Sequence, residues 1–347
     1  IIAQKGLADV IRSEINNPIL KYLSIVLILS AIVIGNAAYE AGNISGGVLG
    51  LETVFGVQNL NIATYKINVF SVLIGLVAFL LLFIGNYKFL ERVLVSLVIL
   101  MSGAFLLTAI MTRPDLVEIA EGLLLPEVAD NSILTIIGLI GTTVVPYNLF
   151  LHSSLVKEKW KSKTDLNHAR KDTFIAVILG GIVSMSIIIS ATAINVEEIN
   201  NVADLALGLE PLFGRFSKYF LALGLFAAGI TSAITAPLAA AFVACGCLGW
   251  STNMTSSKFR MVWVFVLLAG VISSSSGIKS IQIIKFAQVT NGILLPVIAG
   301  FLIWIMNKKT VLGLYKNKLK HNIIGVGVLL ITIFLGLKSV FKVFELL

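Results

Sequence analysis

Residues 141–154, GTTVVPYNLFLHSS, place Gly, two Thr, Pro, Tyr, Asn and His inside a run otherwise apolar enough to cross a bilayer. Pro146 has no backbone N–H, and its ring presses on the carbonyl one turn earlier, so carbonyls around Thr142 lose their helical partners. Gly138 and Gly141 upstream permit unwinding, and Tyr147, Asn148 and His152 follow at once. Two arrangements satisfy these residues. One is a discontinuous helix whose freed carbonyls coordinate a cation near the bilayer midplane, as in carriers built from inverted repeats. The other is a proline kink in an ordinary span.

Three further apolar stretches carry polar or small residues at membrane depth. VIGNAAYEAGNISGGVLG repeats Gly42, Gly46 and Gly50 at every fourth residue, a smooth stripe for close helix contact. It also holds Glu40, an ionisable group in a span and so a functional candidate, with an ion pair to Lys285 or Arg260 as the structural alternative. LFAAGITSAITAPLAAAF (225–242) sets Gly229, Thr231, Ser232 and Thr235 among alanines, and IIKFAQVTNGILLP (283–296) carries Lys285, Gln288, Thr290 and Asn291. Polar side chains are expensive enough in hydrocarbon that several such helices should surround a cavity or path. Packing by small residues is the competing account for the Gly and Ala positions. It serves less well for Asn148, Gln288 and Asn291, whose amides need partners.

The elements that must position these groups are membrane spans. The chain has 347 residues, 57% of them hydrophobic and 13% charged, and a mean hydropathy of +0.98, outside the range of soluble domains. Nine spans are predicted, at 19–43, 66–86, 89–112, 132–156, 172–195, 217–247, 259–275, 281–306 and 322–345. FSVLIGLVAFLLLFIG and IIGVGVLLITIFLGL are nearly all apolar and free to face lipid. The basic loops 157–171 and 307–321, with smaller positive contributions at Lys88, Arg92, Lys258 and Arg260, face the cytoplasm by the positive-inside rule. The acidic loops 113–130 and 195–211 alternate with them, as a consistent topology requires. Orientation and attraction to the membrane surface thus explain the net charge of +8, and nucleic-acid binding has little claim on it. Cys245 and Cys247 are two apart, so on a helix they diverge and share a metal poorly. With no linker or low-complexity tract, residues 1–347 read as a single transmembrane domain. Its opening Ile1, followed by an amphipathic stretch, suggests a chain whose beginning is missing.

GTTVVPYNLFLHSSLV resembles the sixth transmembrane helix of the Nramp divalent-metal transporters, where a small-residue stretch precedes Met-Pro-His-Asn-Leu and a Leu-His-Ser ending. KGLADVIRSEI resembles the cytoplasmic end of that family's second span, AAGITSAITAPLA its eighth helix and AQVTNGILLP its tenth. The resemblance covers essentially the whole chain. It implies an all-α integral membrane protein, a helical bundle of the inverted-repeat leucine-transporter type, with about nine of eleven spans present. The absent first helix would carry an Asp-Pro-Gly-Asn break, the other half of the metal site.

Carried over position by position, the family's metal-binding methionine falls on Val145, its carbonyl ligand on Thr142, and an amide near the metal on Gln288, with Asn291 one turn further on the same face. Asn148 stands where the family has Asn, and Gly141 and Pro146 mark the helix break. The family's two histidines fall on Tyr147 and His152, and its Asp-x-x-Glu pair on Ala37 and Glu40, which makes Glu40, Tyr147 and His152 the substrate-path or proton-relay candidates. Val145 offers no thioether, which tilts the site toward harder oxygen ligands and toward Mn²⁺ or Mg²⁺ relative to Fe²⁺ or Cd²⁺. The resemblance is closest to Nramp-related transporters, the magnesium-transporting branch included, and the expectation is a monomeric carrier of Mn²⁺, Mg²⁺ or Fe²⁺ in the cell membrane, with or without proton coupling, working by alternating access, with metal as substrate and no cofactor. A carrier of amino acids or other organic solutes on the same fold is the alternative. A membrane enzyme finds little support, since no paired carboxylates, His-rich cluster or nucleophile with a neighbouring base stand at membrane depth.

Overall fold

Each of the nine predicted spans contains a helix in the computed structural model, which describes residues 1–62, 65–125, 136, 145–192, 214–275 and 295–343. Helix α1 (Leu7–Glu14) is short and amphipathic, with Leu7, Ala8, Val10 and Ile11 buried. Helix α2 (Pro18–Leu29) starts where the Asn17 side chain accepts from the N–H groups of Ile19 and Leu20, with proline at the first helical position. A π-turn at Ser30–Ile34 leads directly into α3 (Gly35–Phe55), and Gly56, at φ 71°, ends it. A two-stranded hairpin, β1 (Asn59–Ile62) and β2 (Tyr65–Asn68), follows. Then come α4 (Val69–Ile84), α5 (Tyr87–Met111), α6 (Leu116–Leu124), α7 (Pro146–Lys159) and α8 (Leu166–Thr192). The chain continues through α9 (Ser217–Leu248), α10 (Ser257–Ser274), α11 (Leu295–Met306), α12 (Lys309–Leu312) and α13 (Leu319–Val343).

The first span departs from expectation. It was predicted to end at residue 43, yet helix runs on to Phe55, giving 38 continuous residues. Gly46, Gly47 and Gly50 would end an isolated helix, since each lowers helix propensity by about 1 kcal/mol. Here α3 packs along α9, and that contact holds the glycines helical. The contact residues also differ from the predicted stripe. A Cβ on Gly50 would lie 2.7 Å from the Ala222 carbonyl, and one on Gly47 3.6 Å from Gly229 Cα, whereas Gly46 has nothing within 4 Å and lines a small cleft with Gly42. The seam therefore runs through Gly47 and Gly50.

Small residues make α9 the centre of the molecule. Of its apolar window 61% is buried, against 22% for α5 and 17% for α8. Alanines 233, 236, 239, 240 and 241 are fully enclosed, as close helix packing in a membrane requires. The two cysteines near the C-terminal end of α9 are free and buried. The nearly apolar helices behave as predicted. On α4 a stripe of Ser71, Ile74, Gly75, Ala78 and Leu82 is buried while Val72, Leu73, Leu76, Leu80 and Phe83 are exposed, and most of the described side chains of α13 are exposed.

The charge-based topology has a geometric counterpart. Segments assigned to the cytoplasm meet at one end of the bundle: Lys157 pairs with Asp9 at 3.8 Å, Lys159 with Glu91 at 3.8 Å, Lys308 with Glu14 at 3.3 Å, and Arg260 donates to the Phe83 carbonyl at 3.0 Å. The α3 end and the hairpin meet at the other, where Asn68 donates to Glu52 at 2.6 Å.

Candidate functional site

Three side chains on α3, Asn36, Glu40 and Asn43, sit four and three residues apart and so share one helix face. All are buried, Glu40 completely. The face meets α9 where Pro237 interrupts its hydrogen-bond ladder. Asn36 donates to the Ala236 carbonyl at 2.9 Å, and Asn43 donates both to the Ser232 carbonyl at 3.2 Å and to Glu40 Oε2 at 3.1 Å. Across from them Gly270 of α10 makes room for the carboxylate: a Cβ there would lie 2.8 Å from Glu40 Cβ.

Glu40 Oε1 has no hydrogen-bond partner among the described residues. The structural ion pair with Arg260 does not form. Arg260 stands at the cytoplasmic end, bonded to the Phe83 carbonyl with its guanidinium 4.3 Å from the centre of the Phe83 ring. Lys285, the other cation considered, lies outside the described residues. A buried carboxylate oxygen that lacks a partner among the described residues is costly unless one is supplied. It is therefore the group in this cluster best placed to take up a cation or a proton.

Pro146 opens α7 at its first helical position, and Val145 before it is extended, at φ −67° and ψ 127°. Helix α7 therefore begins at Pro146, with Val145 outside it. Val145 and Tyr147 are each 4% exposed. The Tyr147 ring meets Tyr39, the residue next to Glu40, edge-on with centroids 6.0 Å apart. The start of α7 thus packs against the residue of α3 next to Glu40.

The other candidates are placed differently. His152 is exposed and faces the cytoplasmic half, lining a cavity with Leu7, Ala169 and Thr173, away from the Tyr39 contact. Asn148 is exposed, and its N–H donates to the Val145 carbonyl at 3.0 Å. Gly141, Thr142, Gln288 and Asn291 lie outside the described residues. Among those described, no group of three His, Cys, Asp or Glu could hold a metal, so any ion held by the described part would rest on one carboxylate with carbonyl and amide oxygens, a hard donor set.

Sequence reasoning passed over Asn36, Asn43 and Gly270. The first two were visible as amides flanking Glu40 at helical spacing, though Gly270 carries no local signal. Ser153, quoted only as part of a motif, turns out to tie α7 to α1: its hydroxyl accepts from the Leu7 N–H at 2.8 Å.

Comparison with known proteins bears on this geometry. The family model Nramp, described as natural resistance-associated macrophage protein-like, matches residues 1–342. The divalent metal cation transporter MntH of Yersinia pestis (strain Pestoides F) is 27% identical over 350 residues, covering 98% of this chain and 80% of its own. MntH of Staphylococcus haemolyticus is 27% identical over 373 residues, covering 99% and 80%. A crystal structure of the Eremococcus coleocola manganese transporter superposes with a TM-score of 0.71 at 19% identity, over 97% of this chain and 74% of that one; at that identity the likeness concerns the fold.

Proposed function

The chain belongs to the Nramp family of multi-pass membrane transporters, and from that premise we propose that it moves divalent metal cations, Mn²⁺ foremost, across the cell membrane by alternating access. It is a carrier and not an enzyme. Residues 1–347 act as one transmembrane domain, monomeric in the bilayer. The observation that carries the reading is the start of α7 at Pro146 near a fully buried carboxylate with one oxygen unpartnered among the described residues. The relatives named manganese or divalent metal transporters support the choice of substrate class.

In this reading the metal sits where α7 begins, held by the carbonyl of Thr142 and the amides of Asn148, Gln288 and Asn291, with Val145 against it. Glu40 and Tyr147 line the path from that point toward the outer half, and His152 lies on the cytoplasmic side. Half-helix ends and unwound carbonyls provide charge complementarity without a dedicated charged cage. Mn²⁺ fits an oxygen-rich, sulfur-free shell better than a soft ion does.

Purified protein in liposomes, loaded with a metal-sensitive dye and offered Mn²⁺, Mg²⁺ or Fe²⁺, is expected to show saturable Mn²⁺ entry. Folded protein that passes none of the three would overturn the assignment. Leu at Asn148, Gln288 or Asn291 is expected to weaken uptake by about tenfold or less each, the scale of one lost ligand or water-mediated contact of about 1.4 kcal/mol. Full uptake by all three variants would remove these amides from the site.

Val145→Met places a thioether at the start of α7. Competition of Cd²⁺ against Mn²⁺ uptake is expected to rise by about tenfold, since soft ligands select soft ions and tenfold corresponds to about 1.4 kcal/mol. An unaltered competition curve would mean that position 145 does not meet the ion.

A further inference from the structure

The short helix α1 touches two elements that the proposed transport site depends on. At its N-terminal end the Ser153 hydroxyl of α7 accepts from the Leu7 N–H at 2.8 Å and donates to the Phe150 carbonyl at 2.7 Å. One turn further along α7, Lys157 lies 3.8 Å from Asp9, whose other contact is the Gly6 N–H at 3.3 Å. Ser153 and Lys157 are four apart and so grip α1 with one face of α7.

At the other end of α1, Glu14 Oε2 receives Lys308 Nζ at 3.3 Å and the Thr310 hydroxyl at 3.0 Å, while Lys308 also donates to the Glu14 carbonyl at 3.2 Å. Lys308 lies two residues beyond the end of α11 and stands 4.4 Å from the centre of the Trp304 ring on that helix. The middle of α1 is clamped by its apolar face, with Ile11 fully buried, and Gly246 of α9 lies so close that a Cβ there would be 2.9 Å from Ala8 Cβ. The N-terminal end of α1 is thus held by α7 through a neutral hydrogen bond and an ion pair, and its other end by the segment following α11 through charge-assisted hydrogen bonds.

We propose that α1 is a positioning strut, with Ser153, Asp9, Glu14 and Lys308 as positioning residues that hold the inner half of the broken helix and α11 in a fixed mutual setting. The proposal rests on the transport reading for its consequence, because the candidate ligands lie at the start of α7 and just before α11. A helix transmits rotation along its length. Ser153 is six residues, about 9 Å, from Tyr147, so the grip on Ser153 and Lys157 sets the direction in which Val145 and Tyr147 project. The Glu14–Lys308 tie does the same for α11. Neither α7 nor α11 needs to touch the other for their orientations to be coupled.

Two measurements test the strut. Spin labels on cysteines replacing the exposed Glu158 of α7 and the exposed Val297 of α11 report the α7-to-α11 distance directly, with no reference to transport. The unmodified pair is expected to give one narrow distribution, broadened in Ser153→Ala and in Glu14→Gln and narrowed again in Ser153→Thr. Equally narrow distributions in both variants overturn the proposal. In Mn²⁺ uptake, counted per folded molecule, Ser153→Ala and Glu14→Gln are each expected to lower Vmax about fivefold with KM within about twofold, the pattern of an interaction that matters for turnover and not for initial binding. The double variant should be no worse than the poorer single one, because a strut fails once either end is free. Losses that multiply, or rates equal to the parent, overturn it. If the parent protein carries no metal at all, the transport reading fails by itself, and the label distances still decide whether α1 couples the two helices.

Discussion

Replacing Glu40 by Gln is expected to cut Mn²⁺ uptake roughly a hundredfold, about 2.7 kcal/mol on the transport barrier, in protein that still folds. Among the described residues Glu40 is the one charged side chain that is fully buried. Gln keeps its length and still offers Asn43 an oxygen at the 3.1 Å position now held by Oε2. The change therefore removes charge and proton capacity while leaving packing against Gly270 almost intact. If Glu40 served only to glue α3 to α9, Gln would do the same work, and rate and stability would both stay near the parent's. Initial rates in liposomes, normalised to monodisperse protein, separate the two accounts. Asn43→Leu is the companion test: it strips Glu40 of its one described hydrogen bond and should lower uptake without removing the charge. A parent-like rate for Glu40→Gln would take the carboxylate out of the path.

The interpretable part of this sequence was its chemistry against a lipid background. A proline among glycines and an amide at membrane depth stand out because hydrocarbon penalises them, and α7 does begin at Pro146. The alternation of basic and acidic loops is likewise written in composition, and the ion pairs gathered at one end of the bundle agree with it. What escaped depends on who faces whom. Hydropathy cannot tell that Gly47 and not Gly46 meets α9, since both are equally apolar and one residue apart; only the rotation of α3 decides. The same rotation turns the shared face of Asn36, Glu40 and Asn43 toward α9. The run of helix to Phe55 escaped for a related reason: glycines read as a helix end in isolation and become a contact surface when a partner helix supplies the missing packing energy. Arg260 was a plausible counter-ion by charge alone. Its place at the opposite end of α10, against Phe83, follows from distance along a helix that sequence separation in another span does not encode.

The second large effect concerns that α3–α9 seam and is asymmetric. A Cβ added at Gly229 would lie 2.5 Å from Gly47 Cα and 2.9 Å from the Asn43 carbonyl, both backbone atoms that cannot rotate away. A Cβ added at Gly47 meets Ile74 Cδ1 at 2.8 Å, the far end of a flexible side chain, and is otherwise no nearer than 3.6 Å to Gly229. Gly229→Ala must therefore push the two helices apart, at a cost in the overpacking range of about 1–3 kcal/mol. For a chain of this length that corresponds to a fall of roughly 1–4 °C in apparent melting temperature. Gly47→Ala is expected to cost little, because Ile74 changes rotamer and alanine gains helix propensity of about 1 kcal/mol over glycine. Separation of α3 from α9 also lengthens the Asn43-to-Ser232 bond that orients Glu40. Gly229→Ala should consequently lose transport per folded molecule as well as stability, whereas Gly47→Ala should lose neither. Melting in detergent and uptake in liposomes, run on the two variants side by side, decide it: equal stability for both would mean that the helices do not approach as closely as the backbone positions require, and with that the fixed orientation of the buried carboxylate would have no structural cause.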